Sequence, residues 1–324
     1  MFWRTGNYPY LLKGKVMGAM MKQSFFPEKG IWLKGNIHAH TSRTDGLCLP
    51  EKQIRDYREN GYDFLAITDH NVIDSHQLNE TEDICMIPGW ERDIRHAADN
   101  TKCIHVVGLL PSDAKDTEVR EVRRYECLEI PDQQLLDEMR KDGQFVVLAH
   151  PLWSRMTPSE VLELEGFHAI EVFNTGCERL MHAGRADLYW DLLLQKGRKV
   201  WGIACDDTHG KTEKSDRFGG WLMVRSESCT AGAILSAVQE GTYYFSQGPS
   251  IEDWGSDGEK IYFRCSPCKE IHVTTYPPRG RSFYAKDGEH LTEVSYPLKG
   301  GEQYIRIECI DEKGCTAWTN PHFF

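Results

Sequence analysis

Between residues 30 and 250, short apolar runs repeatedly end in a histidine, aspartate or glutamate. The runs are "IWLKGNIH", "YDFLAITDH", "ICMIPGWE", "CIHVVGLL", "QFVVLAH", "HAIEVFN", "KVWGIACDD" and "GGWLMVR", each of strand length. Helix-like segments separate several of them. "LPEKQIRDYRENG" has Pro50 near its start and Gly61 just past its end, "IPDQQLLDEMRKDG" carries Leu135, Leu136 and Met139 on one face, and "TAGAILSAVQEG" runs from Thr230 to Gly241. This alternation predicts an α/β fold of parallel strands and crossover helices. After "FSQGPSIEDWG" the texture changes to short alternating or aromatic runs broken by Gly, Pro and Asp-Gly turns, which predicts an all-β region from 251 to 324. The chain thus divides into a lead-in over 1–29, an α/β unit over 30–250 and a C-terminal β unit.

The run endings supply the chemistry. His38 and His40 close the first run, Asp69 and His70 the second and Glu91 the third; His105 lies in the fourth, His150 ends "FVVLAH", Glu171 sits in "AIEVFN", and Asp207 and His209 follow "KVWGIAC". In parallel α/β folds the C-terminal strand ends are where residues distant in sequence converge. Side chains two apart on a strand share a face, so His38 with His40, and Asp207 with His209, form adjacent ligand pairs, and Asp45 lies on a loop able to fold over the first. Any one of these residues alone reads equally as a hydrogen-bonded structural group, and Asp69 as a helix cap. Together they would crowd carboxylates and imidazoles unless a cation joined them, and that donor mixture suits Zn, Mn or Fe. "CSPC", with Cys265 and Cys268, has the spacing of half a zinc site, but no second pair follows closely.

Charge and composition narrow the partners. Asp and Glu outnumber Lys and Arg 49 to 38, for a net charge of -11, which argues against nucleic acid and anionic membrane surfaces. No apolar run approaches the roughly 20 residues that span a bilayer, and the opening residues lack a secretory pattern, so a cytoplasmic location is expected. Eleven scattered cysteines fit reduced thiols.

In this order, "HAHTSRTDG", "ITDHN", "PGWE", "HVVGL", "AHP", "EVFN" and "DDTH" resemble the motifs of the PHP (polymerase and histidinol phosphatase) metallohydrolases. The lead-in "WLKGN" and the stretch "YWDLLLQKGRKVWGIACDDTH…FGGWLMV" are similar, more finely, to the carbaryl-hydrolase-type branch. The resemblance implies a distorted (β/α)7 barrel holding two or three divalent metal ions. It assigns His38, His40, Glu91 and Asp207 to one ion, Glu91, His105 and His150 to a second with Glu91 bridging, and Asp45, His70 and His209 to a third. It also implies a metal-bridged hydroxide as nucleophile, with Asp207 and His209 positioning the leaving oxygen or moving its proton. Asp69 and Glu171 are expected behind the ligands, orienting imidazoles.

The leading expectation is a phosphoesterase acting on a small phosphorylated molecule. A carboxylic ester or carbamate hydrolase using the same metals is the alternative. Arg43 and Arg217 are the candidate phosphate-binding cations, the latter in the polar stretch "HGKTEKSDRFGG", read as a lid.

Overall fold

The computed structural model describes residues 22–73, 84–95, 102–110, 120–121, 125–126 and 130–324. The opening residues read above for targeting signals lie largely outside this set. Seven strands carry the site: β1 (Ile31–Asn36), β2 (Phe64–Leu65), β3 (Gly89–Arg95), β4 (Cys103–Leu109), β5 (Phe145–Leu148), β6 (Ala169–Asn174) and β7 (Trp201–Cys205). Between and after them lie α1 (Pro50–Glu59), α2 (Asp132–Lys141), α3 (Pro158–Glu163), α4 (Thr175–Met181) and α5 (Asp187–Gln195). The expected strand "ICMIPGWE" is split at Pro88, which cannot donate to a ladder, into Cys85–Met86 and β3.

The fold is mixed α/β, and the all-parallel expectation is corrected. β3, β4, β5, β6 and β7 form one six-stranded sheet with the short strand Tyr125–Glu126, in which β4 runs antiparallel to both β3 and β5. β1 and β2 pair in parallel within a ten-stranded sheet, while β1 is antiparallel to β8 (Trp221–Ser226). The two sheets meet at two seams on the side of the strand ends. At one, Ala39 bridges Thr208 in parallel, with Asp207 N donating to His38 O at 2.8 Å and His40 N to Thr208 O at 3.0 Å. At the other, His70 bridges Glu91 and Asn71 N donates to Glu91 O at 2.8 Å.

Beyond α6 (Ala231–Glu240) the chain continues as β9 (Tyr243–Ser246), β10 (Ile251–Ser256), β11 (Lys260–Cys268), β12 (Glu270–Tyr276), β13 (Arg281–Tyr284), β14 (Leu291–Pro297), β15 (Tyr304–Ile310) and β16 (Thr316–Thr319). β10, β11 and β14 form a four-stranded sheet with Gln23–Ser24, whereas β12, β13, β15 and β16 belong to the ten-stranded sheet. That sheet runs unbroken from β1 through β8, β9 and β16 into the C-terminal strands. The main core, with Trp190, Phe245 and Trp318 fully buried, lies beneath it. A second core around Trp254, Phe263 and Ile307 fills the space between the two C-terminal sheets. Among the described residues no helix is long and apolar enough to cross a membrane.

Candidate metal centre

Both ligand pairs sit past the strands that were expected to carry them. β1 stops at Asn36 and β7 at Cys205, yet the Ala39–Thr208 bridge ties the two following segments together, and the residues flanking it, His38 and His40, Asp207 and His209, converge on one cluster. The Nε2 atoms of His38 and His40 are 3.2 Å apart. His40 Nε2 lies 3.1 Å from Asp207 Oδ1 and 3.2 Å from Glu91 Oε2.

Glu91 is the hub. Its Oε1 faces His105 Nδ1 at 2.9 Å, His150 Nε2 at 3.2 Å and His38 Nε2 at 3.4 Å, and its Oε2 faces His70 Nδ1 at 3.0 Å. Asp45 lies at the mouth, 3.3 Å from His209 Nε2 and 3.8 Å from both His40 and His70. All nine residues expected as ligands therefore come together in one cluster.

The outer nitrogens reveal how the inner ones are presented. His38 Nδ1 is 2.6 Å from Glu171 Oε1, His150 Nδ1 is 3.1 Å from Ser154 Oγ, and His209 Nδ1 is 3.0 Å from the Asp207 carbonyl. An imidazole that donates its outer N–H presents an inner nitrogen with a free lone pair. Consistent with this, His40 Nδ1, His70 Nδ1, Glu91 Oε2 and Asp207 Oδ1 are buried without a hydrogen-bond partner despite their close neighbours. Lone pairs separated by about 3 to 3.4 Å and converging from several directions match ligands bound at about 2.1 Å around a small divalent ion. The donor set fits a cation, and leaving it uncompensated would be costly.

Electrostatics agree. Burial alone would raise the carboxyls of Glu91 and Asp207, but the surrounding imidazoles, led by His105 for Glu91 and His38 for Asp207, hold both well below the usual carboxylate range. Burial acts on His70 in the opposite sense and lowers it to about 3, which leaves the imidazole neutral at pH 7. Two ligand backbones are strained: Asp207 has φ 51° and His150 φ 24°. Asp216, unremarked in the sequence, fixes the Asp207 segment by accepting from Thr208 Oγ1 at 2.7 Å and from the backbone of His209 and Gly210 at 2.8 Å.

Three expectations need correction. Asp69 orients no imidazole; its carboxylate accepts from Thr41 N, Thr41 Oγ1 and Thr44 Oγ1, and so shapes the loop that carries Asp45. Arg217 Nη1 lies 2.5 Å from Asp56 Oδ2 on α1 and lines no part of the cavity, and Arg43 lies outside the lining as well. The second half of the expected lid is anchored, because Asp206 accepts from the backbone of Phe218, Gly219 and Gly220.

The cluster forms the floor of a cavity of about 910 Å³. Its wall and rim include Trp153, Ser154, Arg155, Lys102 and Lys211, all missed in the sequence, although the first three come three to five residues after His150 in "HPLWSRM". Trp153 meets the His105 and His150 rings edge-on, with centroids 5.5 and 4.9 Å apart. Lys102 is paired with Glu160 and Lys211 with Asp45. Arg155, exposed at the rim, contacts Met181 Sδ at 3.4 Å and has no carboxylate partner among the described residues.

No family model matches the chain, and no curated protein matches it. Among solved structures, it is similar to a two-domain protein from Bacteroides vulgatus containing a predicted PHP-like metal-dependent phosphoesterase, at 16% identity over 91% of this chain and 95% of that one, with a TM-score of 0.47. It is also similar to an amidohydrolase from Chromobacterium violaceum, at 13% identity over 64% of this chain and 96% of that one, with a TM-score of 0.41.

Proposed function

We propose that the chain is a metal-dependent hydrolase of the PHP kind that cleaves small phosphate esters. The observation that carries this reading is the Glu91 carboxylate with imidazoles on both oxygens, at the floor of an open cavity. In the same reading, β1 to β7, joined at the two seams, are the strands of a distorted (β/α)7 barrel.

His38, His40, Glu91 and Asp207 would hold one divalent ion, His105 and His150 a second shared through Glu91, and Asp45, His70 and His209 a third. Zn, Mn or Fe bound there supplies Lewis acidity toward an ester oxygen and lowers the pKa of water. Glu171 fixes the His38 ring, and Ser154 the His150 ring, so that neither ligand turns away. When no third ion occupies its Nε2, His209, with a side chain 23% exposed at the mouth, is the imidazole able to pass a proton between the leaving oxygen and solvent. Trp153 walls off the His105 and His150 side, and Arg155 receives the phosphoryl charge from the rim.

Arg155 favours a phosphate monoester over the alternative, a carboxylic ester or carbamate. The test is metal content by elemental analysis on protein purified without chelator, paired with assays on generic phosphate and carboxylic esters. Two or three ions with phosphate release support the reading, and Arg155→Ala should then raise KM for the phosphate ester selectively. Metal with carboxylic ester cleavage alone would favour the alternative, and the absence of metal and turnover after reconstitution would reject both.

A further inference from the structure

A second set of metal-type donors lies in the C-terminal strands, away from the cavity. Cys265 and Cys268 sit on β11 of the four-stranded sheet and Cys309 on β15 of the ten-stranded sheet, so the three thiols face one another across the second core. Their sulfurs all lie within 4.8 Å of one another, and the residues are 1%, 0% and 0% exposed. Residues three apart on a regular strand point to opposite faces. Here the register slips between Arg264 and Cys268, and this irregularity turns both thiols of "CSPC" inward. Three buried cysteines could serve merely as small apolar residues, but a core needs no broken ladder to bury them. No disulfide joins them. Leu291, opposite Cys268 on β14, is preceded by His290, which the chain therefore brings to the same corner.

We infer that Cys265, Cys268 and Cys309 form a thiolate site for one zinc ion, its fourth position left to water or to His290 if that ring turns from Glu312, 3.7 Å away. Three sulfurs with a nitrogen or a water oxygen are an ordinary tetrahedral zinc set, and the site closes when the thiols release their protons to solvent and bind the ion as thiolates. The ion would fasten the two C-terminal sheets where the chain crosses from β11 to β12.

Cobalt tests the site independently of turnover. Co2+ bound by thiolates shows an intense sulfur-to-metal charge-transfer absorption, which imidazole and carboxylate donors do not give. Metal-free, fully reduced full-length protein titrated with Co2+ should develop this absorption and lose it when Zn2+ is added. Cys309→Ser and Cys268→Ser should each abolish it. Absence of the absorption in the reduced wild type overturns the inference, and that result does not depend on whether either variant folds. Its persistence in both variants would also overturn it, since the sulfur would then be elsewhere, for instance Cys205 beside His38 and Glu171. A Cys265–Cys268 disulfide in freshly purified protein would do the same.

Discussion

Glu171 lines no part of the cavity, yet it holds three groups at once: Oε1 meets His38 Nδ1, while Oε2 accepts from His150 N at 2.9 Å and from Asn174 Nδ2 at 2.8 Å. Groups that orient ligand imidazoles contribute heavily to metal affinity, so Glu171→Gln should weaken binding by about 10- to 100-fold. A competition titration against a chromophoric chelator measures this, and an unchanged affinity would remove Glu171 from the centre's support. A second prediction concerns protons. Burial opposes protonation of His40, but Asp207 and Glu91 overcome it and raise the metal-free ring from 6.5 to about 9. At neutral pH an incoming cation must therefore displace a proton, and affinity should climb with pH until about 9. The same raised pKa stabilises the metal-free fold below pH 6.5, an advantage lost as pH rises through about 9. Calorimetry in buffers of different ionisation enthalpy counts the released protons; none released at pH 7 would contradict the assignment. The membership of the cluster was legible because histidine and carboxylate at successive run endings have few other uses. The cations at the cavity rim were not, because an arginine in a sequence does not disclose its partner: Arg217 is committed to Asp56, and Arg155 reaches the rim.

The elements divide along similar lines. Helices with clear punctuation were readable: α1 has Pro50 in its first turn, and α6 begins at Thr230, whose side chain accepts from Ala233 N, and ends at Gly241 with φ 74°. α4 was hidden because β6 runs into it without a turn; Asn174, the last strand residue, also caps the helix by accepting from Cys177 N at 2.8 Å. Strand direction was hidden too, since buried antiparallel strands such as β4 are as uniformly apolar as parallel ones. The junction at α4 is tight. A Cβ on Gly176 would lie 2.5 Å from the Asp207 carbonyl oxygen. Gly176→Ala should cost about 1–3 kcal/mol as an overpacking change and displace Asp207. The readouts are the thermal midpoint and bound metal, and retention of both would show that the helix can shift freely.

For the molecule as a whole, the change of texture near residue 250 does not interrupt the backbone ladder. β9 pairs with β16, Phe245 stacks on Trp318 at 5.2 Å, and Arg306 on β15 grips Asp191 on α5 through two 2.9 Å bonds. Arg306 is 3% exposed, and Asp191→Ala leaves this buried charge with only Glu308, 3.4 Å from Nη1, so the change should cost about 1–3 kcal/mol. Calorimetry should show the loss across one cooperative transition containing both the cavity and the C-terminal strands; two separate transitions would mean that the regions unfold independently. Strand order also sets a timetable for synthesis. β16, made long after β9, occupies an interior place between β15 and β9. Until residue 319 emerges, β9, whose four residues are all buried in the finished fold, is a bare apolar edge. The nascent chain must shield that edge while the residues between Ser246 and Thr319 are being made, which makes it the natural point of engagement for a chaperone.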